Sequence, residues 1–459
     1  MQLRVIWLVC AVVTLGGRAA FAQTVSPPLP AVAVAPTNVL LPNYNGVPIG
    51  EIGGLEVGAF LARANDSSAA FYNPAGLTRA EQTSVSGTAG VFQFGAVSAD
   101  AVGESAHSFQ QVPAMFAFVL KDPLGHENLA AGLSIARTTA WQQTVDFART
   151  TQTGTATDRM SYSSAATLDS WLASVGLGFK SAGKWRAGFS LDGQFTSSER
   201  RQALADQYST PNGLTALSIS SRSEAGAAHL RLTGGVQYQL TPSWIAGAVV
   251  RTRGFGIRST GLAMLEGVSS TGTTTTTGSF FDSDPDVTYR VPSEFKTGLA
   301  YTGKRAEAEV DLLVFAGAGE YQAYSSNQPV TIVIGSAGTA PSATDYKPVA
   351  PVIDSTAVVN VAIGGHLNLT SDRSWIVHGG YAADGSPVGE HDTVFTKVNL
   401  QKITAGVSGR TTHFLGSIGV QYVTGESGSI PLRDLPSGQL TTTFKVKSLG
   451  MLYSLSVMF

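Results

Sequence analysis

The sequence predicts an all-β fold, a 14-stranded antiparallel transmembrane β-barrel. Three observations carry this expectation. From about residue 82 to the end, apolar residues alternate with small or polar ones at a period of two, the spacing of a strand with one apolar face. Charged residues make up only 14% of the chain, yet no apolar run after residue 22 is long enough for a membrane-spanning helix. The links between strands alternate between short and long, as in barrels with turns on one side of a membrane and loops on the other.

In chain order, residues 1–22 read as a secretory signal peptide. Arg4 is its basic start, Val5 to Leu15 its apolar core, and Ala20-Phe21-Ala22 its small-x-small cleavage site. The single cysteine, Cys10, lies inside it, so the mature chain has no disulfide and no thiolate site. Loss of Arg4 and Arg18 leaves 28 basic residues against 32 acidic ones, a formal charge of −4. That balance excludes a nucleic-acid footprint.

Residues 23–50 carry Pro27, Pro28, Pro30, Pro36, Pro42 and Pro48 and read as an extended N-terminal extension. Residues 51–80 are rich in alanine and glycine and do not alternate. They suit short helical turns packed closely against a wall, and Asn73-Pro74 favours a turn.

Residues 81–459 form the barrel. Strands are expected at 82–95, 108–120, 128–142, 168–180, 184–199, 225–240, 243–258, 291–302, 305–318, 356–369, 374–384, 397–410, 412–424 and 444–459. In the fourth, Trp171, Ala173, Val175, Leu177 and Phe179 share one face, while Ser174, Gly176 and Gly178 share the other. Residues 143–167, 200–224, 259–290, 319–355 and 425–443 read as long loops. Trp185, Trp244 and Trp375 each start a strand after a short turn, and Trp141 and Trp171 flank a long loop, which predicts an aromatic girdle at each interface.

The last strand places Tyr453, Leu455, Val457 and Phe459 on one face and ends on the aromatic ring. Taken alone, it fits a soluble sandwich as well as a barrel. The sorting of links by length favours the barrel, in which this strand closes the sheet against the first. Closure is required because lipid offers no partner to backbone N–H and C=O groups.

The stretch Gly58-Ala-Phe-Leu-Ala-Arg-Ala-Asn-Asp-Ser-Ser-Ala-Ala-Phe-Tyr-Asn-Pro-Ala-Gly-Leu77, followed by fourteen strands, resembles the hatch of the FadL family. These are outer-membrane transporters of long-chain fatty acids and aromatic hydrocarbons. The resemblance implies that residues 51–80 plug the lumen as a hatch. Asn73, Pro74 and Ala75 stand at its signature, and Arg63 and Asp66 are placed to pair with wall charges. It also implies passive uptake of a hydrophobic small molecule, caught by outer loops, bound in the barrel and released sideways into the bilayer after a hatch shift.

The location implied is the bacterial outer membrane, as a monomer among lipid and lipopolysaccharide. Tyr453, Leu455, Val457 and Phe459 resemble the address read by the barrel-assembly machinery. The proline-rich lead at 23–50 departs from the family pattern, and its position, in the lumen or in the periplasm, stays open.

Expected inward charges are Arg186, Asp192, Arg231, Arg251, Arg253, Glu307, Glu309 and Asp311. They form a lumenal salt-bridge network, or else one of Arg186, Arg231, Arg251 and Arg253 receives a substrate carboxylate. Phe92, Phe94, Leu172, Val249, Leu313 and Phe315 are candidate ligand-lining residues, with facing set by register. No P-loop, no Gly-x-Ser-x-Gly elbow and no metal-ligand spacing appears, and His229, His366, His378, His391 and His413 are scattered. No enzyme activity, cofactor or metal is expected. A nonspecific porin or a surface adhesin is the alternative.

Overall fold

A computed structural model describes residues 39–40, 43–44, 49–99, 104–211, 213–348, 350–428, 430–435 and 438–459. The expected signal peptide and most of the 23–50 extension lie outside the described residues. Fourteen strands close into one antiparallel barrel. They are β1 Ser84–Ala99, β2 Glu104–Lys121, β3 Leu129–Thr153, β4 Ala156–Lys180, β5 Trp185–Thr210, β6 Gly213–Thr241 and β7 Trp244–Arg251. The remaining seven are β8 Glu294–Thr302, β9 Ala306–Phe315, β10 Val358–Asn368, β11 Trp375–Asp384, β12 Val398–Arg410, β13 Phe414–Ser427 and β14 Phe444–Met458.

β14 pairs with β1 from Ser84↔Met458 to Ala99↔Phe444, and with β13 on its other edge. The terminal strand is therefore the seam. The backbone N–H of Phe459 donates to Thr83 O at 2.9 Å, so the ladder runs to the last residue.

Alternation sorts the two faces. Val175, Phe189, Leu232, Val310, Ile403 and Leu455 stand exposed on the outer face, while Ser174, Ser190, Thr233, Asp311, Thr404 and Ser454 are buried inside. An apolar outer face on a closed sheet has only one stable solvent, hydrocarbon, so this is an outer-membrane barrel. At the short-link end Trp185 lies 4.4 Å from Tyr238 and Trp244 lies 5.5 Å from Tyr301, ring centre to ring centre. With exposed Trp375 they form the girdle on that side.

Two expectations change. Residues 143–167 and 200–224 are not loops: β3 and β4 extend as a hairpin to Thr153↔Ala156, and β5 and β6 to Thr210↔Gly213. A strand needs only about 9–11 residues to cross a membrane, whereas these four have 25 to 29. The excess stands above the bilayer, where both faces meet water and no apolar period is demanded. Trp141 also leaves the outer girdle. A bulge between Arg137 and Thr139 reverses the facing of β3, and Trp141 packs inward on Val398, Leu400, Val423, Phe444 and Val446.

The long links carry structure of their own. The upper half of β6 pairs with a strand over Phe255–Thr271, which turns back as Thr274–Asp282 and continues into Val330–Ser336 and Ser342–Tyr346. The threonine run is thus a hairpin in this outer sheet.

Candidate functional site: a filled lumen beside a gap in the wall

Residues 49–80 lie within the barrel. They form a 3-10 turn at Gly53–Glu56, one helical turn at Ala69–Tyr72 and a second 3-10 turn at Pro74–Arg79. Phe60, Leu61 and Leu77 are fully buried. At roughly 1.5–3 kcal/mol for each such side chain, apolar burial is a main source of docking energy. Phe60, Ala64, Ala69, Ala70 and Leu77 pack with Val119 and Ala130 of the wall.

The backbone of this segment comes unusually close to the strands. A β-carbon at Gly188 would strike Pro74, one at Gly235 the Asn73 side chain, one at Gly364 Glu56, and one at Gly406 Leu55. Inward glycines therefore make the space that the segment occupies.

Asn73 is the cap of the last turn. Its Oδ1 accepts from Ala75 N at 3.1 Å, and its Nδ2 donates to Leu61 O and to Val236 O on β6, both at 3.1 Å. Pro74 supplies the fixed φ of a helix start without forfeiting an N–H. Gln237 Nε2 donates to Leu61 O at 3.3 Å and Ala64 O at 3.2 Å, and Thr404 Oγ1 donates to Leu55 O at 2.6 Å. These bonds satisfy carbonyls of a chain with little regular structure of its own.

Arg63 is the electrostatic centre. It is buried, pairs with Glu56 of its own segment, and reaches Glu309 on β9 with Nε at 3.1 Å. Glu309 also accepts from the backbone N–H groups of Ala62 and Arg63. Burial opposes ionisation of Glu56, but Arg63 and the two histidines beside it outweigh that and hold its carboxyl below the usual range. Asp66 differs from expectation. Its Oδ1 accepts from Ser68 N at 2.8 Å and Ser68 Oγ at 2.5 Å, so it stabilises a turn in its own segment, and among the described residues it pairs with no wall charge.

The lead into the segment also enters the barrel. Val39–Leu40 pair in parallel with Phe395–Thr396 of the long β11–β12 link. Asn43 Nδ2 donates to Asp384 O at 2.7 Å, and Tyr44 stacks on Phe315 with ring centres 4.6 Å apart. The described part of the extension is therefore lumenal.

Above residues 49–72 lies a cavity of about 160 Å³. Its floor includes Ile49, Leu61, Phe71 and Tyr72, its sides Leu172, Leu313 and Phe315, and its roof Tyr289, Tyr321 and Phe395. A second cavity of about 100 Å³ continues upward among the outer links and shares Leu168, Tyr289, Ile353 and Phe395 with the first. Of the candidate lining residues, Leu172, Leu313 and Phe315 line the lower cavity. Val249 is buried and inward but takes no part in it. The side chains of Phe92 and Phe94 lie outside the described residues.

The arginines do not wait for a carboxylate. Arg231 donates to Thr252 O, Gln194 Oε1 and Pro292 O and pairs with Glu294 at 2.8 Å. Arg251 pairs with Asp192 and Glu294, both at 3.3 Å, and donates to Phe71 O at 2.9 Å. Both line the cavity, but their donors are spent within the wall. Arg186 sits at the short-link end of β5 and Arg253 is exposed beside Phe255, so neither reaches the cavity.

The wall is not continuous. β2 and β3 pair through seven residues only, from Lys121↔Ala130 to Met115↔Ala136. Beyond that, among the described residues, β2 stays with β1 and β3 stays with β4. Seven pairs at about 3.3 Å along a strand tilted by about 40° rise about 17 Å, short of the roughly 25 Å apolar band. The gap therefore opens at membrane depth. Thr138 and Thr139, in the bulge at its edge, line the cavity.

Fold and lumen together define the class, an outer-membrane β-barrel filled by its own N-terminal segment. Within that class, the chain has the FadL-type fold. It is similar to a solved FadL homologue of Pseudomonas aeruginosa, at 15% identity over 92% of this chain and 99% of that one, with a TM-score of 0.58. It is similar to the toluene transporter TodX of Pseudomonas putida at 15% identity, 91% and 99% coverage and a TM-score of 0.57. The toluene transporter TbuX of Ralstonia pickettii matches at 14% identity, 91% and 99% coverage and a TM-score of 0.52. At these identities the likeness is one of fold. No protein-family model and no curated protein matches the chain.

Proposed function

We propose that the protein is a passive outer-membrane channel for hydrophobic molecules, with small aromatic hydrocarbons as the substrate class. The observation that carries this reading is the aromatic cavity that ends at the gap between β2 and β3. A greasy solute entering from the outer links passes the upper cavity, rests in the lower one and leaves through the wall. Entry into hydrocarbon lowers its free energy, so no other energy source is required. The segment at 49–80 closes the aqueous route below, as a hatch whose movement adjusts the lower cavity.

Size and charge favour a small neutral solute over a fatty acid. A cavity near 150 Å³ has room for a benzene-sized ligand, and the lower cavity, in which aromatic and aliphatic side chains stand beside charged ones, is about 160 Å³. Of its lining cations, Arg231, Arg251 and Lys296 pair with Glu294, Arg251 also with Asp192, Lys402 pairs with Asp384, and Arg290 donates to Ala318 O, which leaves little to recognise a carboxylate. The toluene transporters of like fold support the same class.

The test is uptake by cells carrying the protein. Labelled toluene should enter faster than in cells without it, and labelled oleate should gain much less. Equal gain for both would favour the broader fatty-acid reading. Rapid swelling of liposomes in small sugars would show an open porin instead. The terminal Tyr453, Leu455, Val457 and Phe459 stripe supports recognition by the barrel-assembly machinery, which truncation of Phe459 would test through assembly yield.

A further inference from the structure

We propose that Glu56, His366 and His378 form a binding site for a divalent transition-metal ion of the zinc class, which clamps the N-terminal segment to β10 and β11. His366 and His378 face each other across the β10–β11 hairpin, and Glu56 enters between them from the segment. Glu56 Oε1 lies 2.9 Å from His366 Nδ1 and 2.8 Å from His378 Nδ1, and the three ligand atoms lie within 4.8 Å of one another. Around a tetrahedral zinc ion with bonds near 2.0–2.1 Å, neighbouring ligands stand about 3.3 Å apart. A shift of about half an ångström in each Glu56–histidine contact brings those two contacts to that spacing. Glu56 and His378 are fully buried and His366 is 7% exposed.

Three possible ligand atoms converge at this point. Ser408 Oγ donates to Ser417 Oγ at 2.9 Å, so its contact with His378 Nε2 at 2.8 Å is one in which the imidazole N–H donates. In that tautomer the lone pair lies on Nδ1, the atom that faces Glu56 and would ligate an ion. Arg63 Nη1 contacts His366 Nδ1 at 3.3 Å, a contact that an ion at this nitrogen would replace. Two ring nitrogens and a carboxylate oxygen thus converge on one point, where a cation can take all three. Ser408 supplies the outer contact that orients a ligating histidine.

Two imidazoles and one carboxylate suit zinc, copper or nickel, whereas calcium and magnesium prefer oxygen ligands throughout. Arg63 brings one positive charge, but Glu56, Glu307 and Glu309 surround it. A metal that takes the Nδ1 lone pair releases Arg63 Nη1 toward Glu307 Oε2, 4.0 Å away. The site lies beside the short links at 303–305 and 369–374, so the ion arrives from the side of those links past His366. This inference stands on the ligand geometry and does not depend on what the channel carries.

The test uses the full mature chain, folded in detergent and purified without a polyhistidine tag. Titration with Co²⁺ near neutral pH should give visible absorption that saturates at one ion per chain and is displaced by Zn²⁺. His378→Gln and His366→Gln, each checked for heat-modifiable migration, should lose this binding by more than the roughly 10–100-fold that outer-contact changes cost. Ser408→Ala should fall within that range. X-ray absorption of the zinc-loaded wild type needs no variant and should show two imidazoles. Absence of Co²⁺ and Zn²⁺ binding, a spectrum without imidazole, or unchanged binding in a folded histidine variant would overturn the proposal.

Discussion

The carboxamide of Asn73 occupies the place where a β-carbon on residue 235 would lie. The wall is shaped to the segment at this point, and the segment is bonded to the wall through Asn73 Nδ2 and Val236 O. Gly235→Ala should push Asn73 from its seat, and Asn73→Ala should remove three hydrogen bonds of about 1 kcal/mol each. Hydrogen exchange across 49–80 should accelerate by about 100-fold in both variants, since each tenfold corresponds to about 1.4 kcal/mol. Wild-type exchange in both would remove the anchoring role.

Arg63 should be the least replaceable charge. Arg63→Met leaves Glu56 and Glu309 buried without their cation, a loss of about 3–5 kcal/mol for a broken buried pair. Arg63→Lys keeps the charge but not the planar fork and should fall between. Protease resistance of the segment in detergent-folded barrels reads this directly. A segment equally resistant in wild type and Arg63→Met would refute it.

Much of the barrel was legible because lipid imposes a two-residue period, which most of the fourteen strands show, the second and twelfth less regularly. The extensions of β3 to β6 above the bilayer were not legible, since water on both faces removes the period. Trp141 was misplaced because a single bulge at Arg137–Thr139 reverses facing, and periodicity does not register one extra residue. Asn73 and Arg63 could be singled out from the segment itself, but Asp66 found its partner two residues away. The spent donors of Arg231 and Arg251 depend on contacts with 252–294 that no local pattern encodes. His366 and His378 looked scattered, yet a tight link at 369–374 between adjacent strands places them opposite each other. That pairing was readable from the hairpin, whereas the arrival of Glu56 from 310 residues away was not.

The gap between β2 and β3 gives a third expectation. Thr139→Trp should fill the edge of the cavity at the bulge and lower toluene uptake. Overpacking of about 1–3 kcal/mol at a passage site corresponds to roughly 5- to 150-fold in rate. Thr150→Trp lies on the same strand, is exposed and does not line the cavity, so it should transport like wild type. Equal uptake by the two variants would argue against a route through this wall.

Docking of the segment should weaken as pH rises. Burial pushes the Glu51 carboxyl up to about 8 from its ordinary 4.5, Asp66 adds to the rise, and the hydroxyls of Ser86, Ser456 and Ser67 oppose it. Below pH 4.5 the group is protonated whether docked or free, and pH has no effect through it. Between 4.5 and 8 the docked form holds a proton that the free form has lost, so docking takes up a proton and is favoured by acid. Each unit of rising pH in that window costs up to about 1.4 kcal/mol, and above 8 the full penalty of a buried carboxylate remains. Hydrogen exchange of residues 49–80, corrected for its intrinsic pH dependence, should therefore be faster at pH 9 than at pH 6. Glu51→Gln should flatten that difference and hold the segment firmly at both values. A pH profile identical in wild type and Glu51→Gln would show that this carboxyl does not govern docking.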